Sequence, residues 1–190
     1  MLILASASPR RADLLNEARI PFVVHPSRAR EATPLSHPRF TPRQLARHNA
    51  ELKAREVSQR FPGRWVLGAD TLVVLGRTVF GKPRNMKEAG IMLGRLVGRT
   101  HRVITGVCLC RKGEKGKMFS VTSQVTFKKL DRGEIQDYLK RIHPLDKAGA
   151  YAAQEHTDRI IAKVKGSFTN VVGLPMERVV REWRRIVQSD

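Results

Sequence analysis

Short apolar runs alternate with amphipathic stretches along the whole chain. Met1 to Ala5 predicts a buried strand, and Ser8-Pro9 follows as an N-cap with proline at the first helical position, opening a helix to about Ala18. Phe22 to Val24 predicts a second strand. His25 to Phe40, punctuated by Pro26, Pro34 and Pro38, reads as a loop long enough to be functional. Thr41-Pro42-Arg43-Gln44 is a capping box, and Leu45, Asn49, Leu52 and Glu56 recur at helical spacing to about Arg60. Trp65 to Leu75 and Thr78 to Phe80 predict a hairpin turning at Gly76-Arg77.

The second half continues in the same way. A helix runs from Asn85 or Met86 to Val97, stopped by Gly98, and Arg102 to Cys110 reads as a strand. In the next strand Phe119, Val121, Val125 and Phe127 share one face, with Ser120, Thr122, Gln124 and Thr126 on the other. Asp131 and Glu134 make an acidic capping box for a helix whose stripe is Ile135, Tyr138, Leu139 and Ile142, ending before Pro144. Arg159 to Val164 and Thr169 to Val172 are the remaining candidate strands, either side of a turn near Gly166, and a last helix begins at about Pro175. Strands that alternate with helices and also pair as hairpins predict an α/β fold with a mixed, twisted sheet flanked by helices.

Composition narrows the class. With 190 residues, 41% of them hydrophobic, a single domain over 1–190 has a sizeable core to bury. Apolar runs such as Leu72-Val73-Val74-Leu75 fall far short of the roughly 20 residues that cross a bilayer, and no basic leader precedes Ser6, so a cytoplasmic protein without a membrane partner is expected. Cys108 and Cys110 point to one side of a strand, a poor geometry for a disulfide and too few ligands for structural zinc. Thirty-six Lys and Arg against 17 Asp and Glu leave a formal charge of +19, which attracts polyanions and makes nonspecific nucleic-acid binding an alternative function. Basic residues are spread along the chain, however, and two Tyr and two Trp give no visible aromatic-basic module.

Several residues carry possible chemistry. Ser6, Ser8, Arg10 and Arg11 put hydroxyls and guanidinium groups at a strand-to-helix corner whose free N–H groups suit an anion, although an ordinary capped helix with solvated arginines has the same pattern. Asp70 lies in an apolar strand, where a metal ion or backbone hydrogen bonds would offset the cost of its charge. Glu31 sits in the long loop, Lys53 on the following helix and Lys82 at the constrained Gly81-Lys82-Pro83 turn, and each is also compatible with plain solvation. Gln154 follows an Ala- and Gly-rich segment that suits close approach to a ligand or a simple turn.

Taken in order, Leu4-Ala5-Ser6-Ala7-Ser8-Pro9-Arg10-Arg11, Gly68-Ala69-Asp70-Thr71, Gly81-Lys82-Pro83, Thr105-Gly106-Val107, Pro144 to Tyr151 and Asn170 to Pro175 closely resemble the blocks of the Maf family of nucleotide pyrophosphatases. The resemblance implies a fold like that of the inosine triphosphate pyrophosphatases, with a cleft between two lobes. It implies a divalent cation, Mg²⁺ or Mn²⁺, water attack at the α-phosphorus of a nucleoside triphosphate, release of pyrophosphate, and a homodimer. Asp70 matches the proton acceptor and, with Glu31, the metal site; Ser6, Ser8, Arg10, Arg11, Lys53 and Lys82 match phosphate-binding positions. Arg10, Thr71 and Gln154 are similar to the specificity positions of the dTTP/UTP branch. Arg30-Glu31 stands where the family usually has Asp-Glu, and Ala152-Ala153-Gln154-Glu155 where it has Gly-Ile-Gln-Gly. The family's link to septum formation supplies a regulatory alternative.

Overall fold

A computed structural model describes residues 1–114 and 116–189. Its strands are β1 (Leu2–Leu4), β2 (Phe22–Val24), β3 (Val66–Leu75), β4 (Thr78–Phe80), β5 (Thr100–Cys110), β6 (Lys117–Phe127) and β7 (Ile161–Lys165). Its helices are α1 (Pro9–Glu17), α2 (Pro42–Arg60), α3 (Met86–Leu96), α4 (Arg132–Arg141), α5 (Thr157–Ile160), α6 (Phe168–Val172) and α7 (Met176–Ser189), with 3-10 turns at Pro144–Asp146 and Ala148–Ala150. The strands form one mixed seven-stranded sheet in the order β2-β1-β3-β5-β6-β7, with β4 paired to β3. β1 is parallel to β2 and β3, whereas β3–β4 and β6–β7 are antiparallel. This is the α/β class that the hydrophobic pattern predicts.

Contacts divide the chain into two compact units: Met1–Thr71 with Thr105–Val121 and Gly173–Asp190, and Leu72–Ile104 with Thr122–Val172. In the first unit, Ile3, Ala5, Ala50, Ala54, Val57, Val66, Cys108 and Cys110 form a buried cluster. α2 approaches the sheet closely because two strand positions lack a side chain. A Cβ on Gly68 would overlap the carbonyl of Ala50, and one on Gly106 the carbonyl of Ala46. Small residues on both sides therefore set the helix-to-sheet distance, and with it the height of every side chain on that face of α2. α7 buries Val179, Glu182 and Ile186, and Arg178 stacks on Phe119 at 4.4 Å.

In the second unit α3 packs on α4, burying Leu93, Leu96, Tyr138 and Leu139. Edge-on rings of His101, Phe127 and Tyr151 fill its interior. Both expected capping boxes are present, Thr41 with Gln44 and Asp131 with Glu134.

Two expectations need correction. Thr169 to Val172 is helical: Ser167 Oγ accepts the Asn170 N–H at 3.1 Å, while the buried Asn170 amide donates to the Val103 carbonyl and to Ser123 Oγ, both at 3.0 Å. Satisfying a buried amide outweighs the modest strand preference of Thr and Val. The strand placed at Arg159 begins at Ile161, after the helical turn of α5. Cys108 and Cys110 are free thiols, both buried. Among the described residues no helix is long and apolar enough to cross a membrane.

Candidate active site

The first unit gathers most of the chemistry. Asp70, near the middle of β3, is 6% exposed. Its Oδ1 accepts from Lys53 Nζ at 2.8 Å and its Oδ2 from Asn49 Nδ2 at 3.0 Å. Both donors belong to α2 and stand one turn apart, on the face carrying Ala46, Ala50 and Ala54. The close approach allowed by Gly68 and Gly106 is what brings them within reach of Asp70.

The long loop is clipped to the same helix at two places. Glu56 accepts from the Ser27 hydroxyl at 2.8 Å and from the Arg28 N–H at 3.0 Å. Burial works against the charge of Glu56, yet these donors and Arg60 hold its carboxyl below the ordinary range. Asn49 exchanges two hydrogen bonds with the backbone of Ala32, at 2.8 and 3.0 Å. Glu31 is thereby delivered to Lys53, whose ammonium lies 2.7 Å from it and 2.8 Å from Asp70. A shielded lysine thus bridges two carboxylates. Beside it, Arg30, Glu31, His37, His48 and Leu52 line a cavity of about 390 Å³.

Arg11 links the strand-to-helix corner to Thr71, the residue that follows Asp70 on β3. Arg11 is 9% exposed, and its guanidinium donates from Nη1 to Ser6 Oγ at 2.9 Å, from Nη2 to Thr71 Oγ1 at 3.2 Å and from Nε to the Gly173 carbonyl at 3.0 Å. Burial and Arg10 lower its pKa, while Asp70 and Glu31 favour its cationic form. Thr71 Oγ1 also lies 3.0 Å from Thr105 Oγ1. Ser8 occupies the N-cap position of α1 without a side-chain cap bond, and Ser6 Oγ instead accepts the Ser8 N–H at 3.2 Å. No side chain caps the first turn of α1, where the Arg11 and Ala12 N–H groups donate to the Ser8 carbonyl at 3.2 and 3.4 Å.

Ser6, Ser8, Arg10, Arg11, Glu31, Lys53, Asp70 and Thr71 all fall in the first unit, and the hydrogen bonds and ion pairs above join seven of them into two connected groups. Lys82 and Gln154 belong to the second unit, where both are exposed; Lys82 follows β4, and Gln154 follows the buried run Tyr151-Ala152-Ala153. Asn49 and Thr105 are partners that sequence reasoning overlooked. Asn49 offered a signal, an amide among the buried alanines of α2, but its spacing supports only a helix.

The sequence profile of the Maf-like protein family matches residues 1–186. The chain belongs to that family. Among curated relatives, the dTTP/UTP pyrophosphatase of Symbiobacterium thermophilum is 46% identical over 180 residues, covering 95% of this chain and 91% of its own. The dTTP/UTP pyrophosphatase of Syntrophotalea carbinolica is 47% identical over 188 residues, covering 97% and 84%. That of Koribacter versatilis is 43% identical over 185 residues, covering 97% and 93%. A solved nucleoside-triphosphatase / dITP/XTP pyrophosphatase from Mycobacterium abscessus aligns at 13% identity over 68% of this chain and 74% of that one, with a TM-score of 0.41, too slight a likeness to carry an argument.

Proposed function

We propose that this Maf-like chain hydrolyses dTTP and UTP, or modified pyrimidine nucleotides, to the monophosphate and pyrophosphate. The names of its relatives support the substrate class. The observation that carries the chemistry is Asp70, a buried carboxylate oriented by Asn49 and Lys53. Each of its oxygens accepts one hydrogen bond from these donors, and an ionised carboxylate offers about four acceptor sites in all, so capacity remains to take a proton from water. The water oxygen would bond to the α-phosphorus as the bridge to the β-phosphate breaks, the proton passing to Asp70 and the electron pair leaving with pyrophosphate.

Other residues divide the remaining work. Ser6, Ser8 and Arg10, around the opening turn of α1, would offer hydroxyl and guanidinium donors to the phosphate chain, and Lys53 and Lys82 would add ammonium charge. Arg11 contributes its charge from behind Ser6 and holds Thr71 in place. Thr71 and Gln154, with Arg10, would select the base and sugar, Gln154 through an amide that both donates and accepts.

Among the described residues no group of three or more His, Cys, Asp or Glu side chains converges to hold a metal. Glu31 and Asp70 are the two carboxylates on offer, oxygen donors of the type a hard divalent cation such as Mg²⁺ or Mn²⁺ takes together with phosphate oxygens and water, and Lys53 would have to withdraw from between them to admit it. Bound there, such an ion would supply charge stabilisation and acidify water.

Assay of pyrophosphate release from dTTP, UTP, CTP, ATP and GTP with Mg²⁺ or Mn²⁺ tests the reading. Asp70→Asn is expected to lower kcat by about 10²–10⁴-fold while the protein stays folded. Absence of pyrophosphate from every nucleotide, or an unchanged rate in Asp70→Asn, would refute it.

A further inference from the structure

Gln154 stands at the exposed end of a segment that the second unit holds by side-chain hydrogen bonds to its backbone. Ala152 is 2% exposed, and a single side chain satisfies both of its backbone polar groups: Tyr138 Oη accepts its N–H at 3.1 Å and donates to its carbonyl at 3.2 Å. Tyr138 comes from α4 and is itself 2% exposed. One residue on, the Ala153 carbonyl accepts from Thr157 Oγ1 at 2.9 Å. Beyond Gln154, the Glu155 carboxylate lies 3.8 Å from Lys147 Nζ, and that lysine is fixed by the His143 carbonyl at 2.8 Å and by Asp146 at 2.9 Å. His156 then adopts a left-handed backbone, φ 51°, which ends the extended segment at a turn.

The Gln154 side chain itself has no hydrogen-bond partner among the described residues, so the restraint falls on its backbone and leaves its amide available. Such a layout suits recognition: the ordering is completed during folding and is not charged against binding. Burial pushes the Tyr138 hydroxyl up to about 12, which keeps its proton in place to donate throughout the neutral range.

We propose that Tyr138 is a positioning residue for base selection, its hydroxyl clamping Ala152 so that Gln154 presents its amide in one orientation. The proposal rests on the reading of Gln154 as a base-contacting residue. Tyr138→Phe keeps the ring that fills the core and removes only the clamp. It leaves the Ala152 N–H and carbonyl buried without that partner, and the segment must move to find others.

Steady-state kinetics with UTP, dTTP, CTP and GTP are compared for the wild type, Tyr138→Phe, Thr157→Val and Gln154→Ala, with hydrogen exchange followed over residues 151–157. Tyr138→Phe is expected to raise KM for UTP roughly tenfold with kcat within about twofold, the size of effect one lost buried partner produces. The UTP-to-CTP ratio of kcat/KM should narrow and exchange over the segment should accelerate. Thr157→Val should move the same quantities in the same direction and decides the matter should Tyr138→Phe not fold. Wild-type KM and base ratio in both variants, alongside a changed ratio in Gln154→Ala, would overturn the proposal, as would an equal loss of kcat for all nucleotides. An unchanged base ratio in Gln154→Ala removes the role of Gln154 and this proposal with it, while pyrophosphate release by the wild type would still stand.

Discussion

Two adjacent arginines at the start of α1 show how much a residue's role depends on its surroundings. In sequence Arg10 and Arg11 are equivalent forks. In the folded chain Arg11 is buried, with its Nε, Nη1 and Nη2 committed to Gly173, Ser6 and Thr71. A lysine cannot reproduce that planar set of donors. Arg11→Lys is therefore expected to lose about 1–3 kcal/mol of stability by leaving buried acceptors unpaired, measurable as a lower urea midpoint at unchanged m-value. Wild-type stability would mean that the guanidinium geometry is dispensable. Lys53 teaches a similar lesson: an amphipathic helix pattern marks it as plausibly solvated, yet its ammonium is shielded between Glu31 and Asp70.

Among the elements, α2 does the most to assemble the site. Its start was legible from the Thr41–Gln44 capping box, because the bonds of a cap lie within four residues of chain. Its position on the sheet was not, because that depends on Gly68 and Gly106, remote in sequence from the alanines they admit. In Gly68→Ala the new methyl group meets backbone, which cannot swing aside, so α2 must lift from β3. A cost of about 1–3 kcal/mol is expected from overpacking. Activity should fall further than stability implies, since Lys53 and Asn49 would retreat from Asp70. Thermal unfolding and pyrophosphate release measured on the same preparation check this, and full activity at reduced stability would contradict it. α6 marks the opposite limit of sequence reading. Thr169 and two Val favour extended structure locally, yet the partners of Asn170 impose a helical turn.

For the whole molecule, His101 ties stability to pH. It is 1% exposed, its Nε2 lies 3.1 Å from the Tyr151 hydroxyl, and burial lowers its pKa from 6.5 to about 4. The unfolded chain therefore takes up a proton near pH 6.5, which the folded chain refuses until about pH 4. Stability from this group is complete above about 6.5 and is lost as pH falls toward about 4, by an amount on the order of 3 kcal/mol. Denaturant unfolding between pH 7 and pH 4.5 should show a shallower acid decline in His101→Phe than in the wild type. Superimposable declines would exclude His101 as the cause.

From the sequence alone came the α/β class, most element boundaries, the buried strand bearing Asp70 and the serine-arginine corner, because caps, turns and hydrophobic periods act over a few residues. Only the tertiary structure decided that Arg11 turns inward, that Asn49 orients Asp70, that Lys53 joins Glu31 to Asp70 and that Tyr138 clamps the segment before Gln154. The physical reason is reach. A buried polar group must find a partner wherever folding brings one, and the Gly173 carbonyl that Arg11 finds lies 162 residues further along the chain.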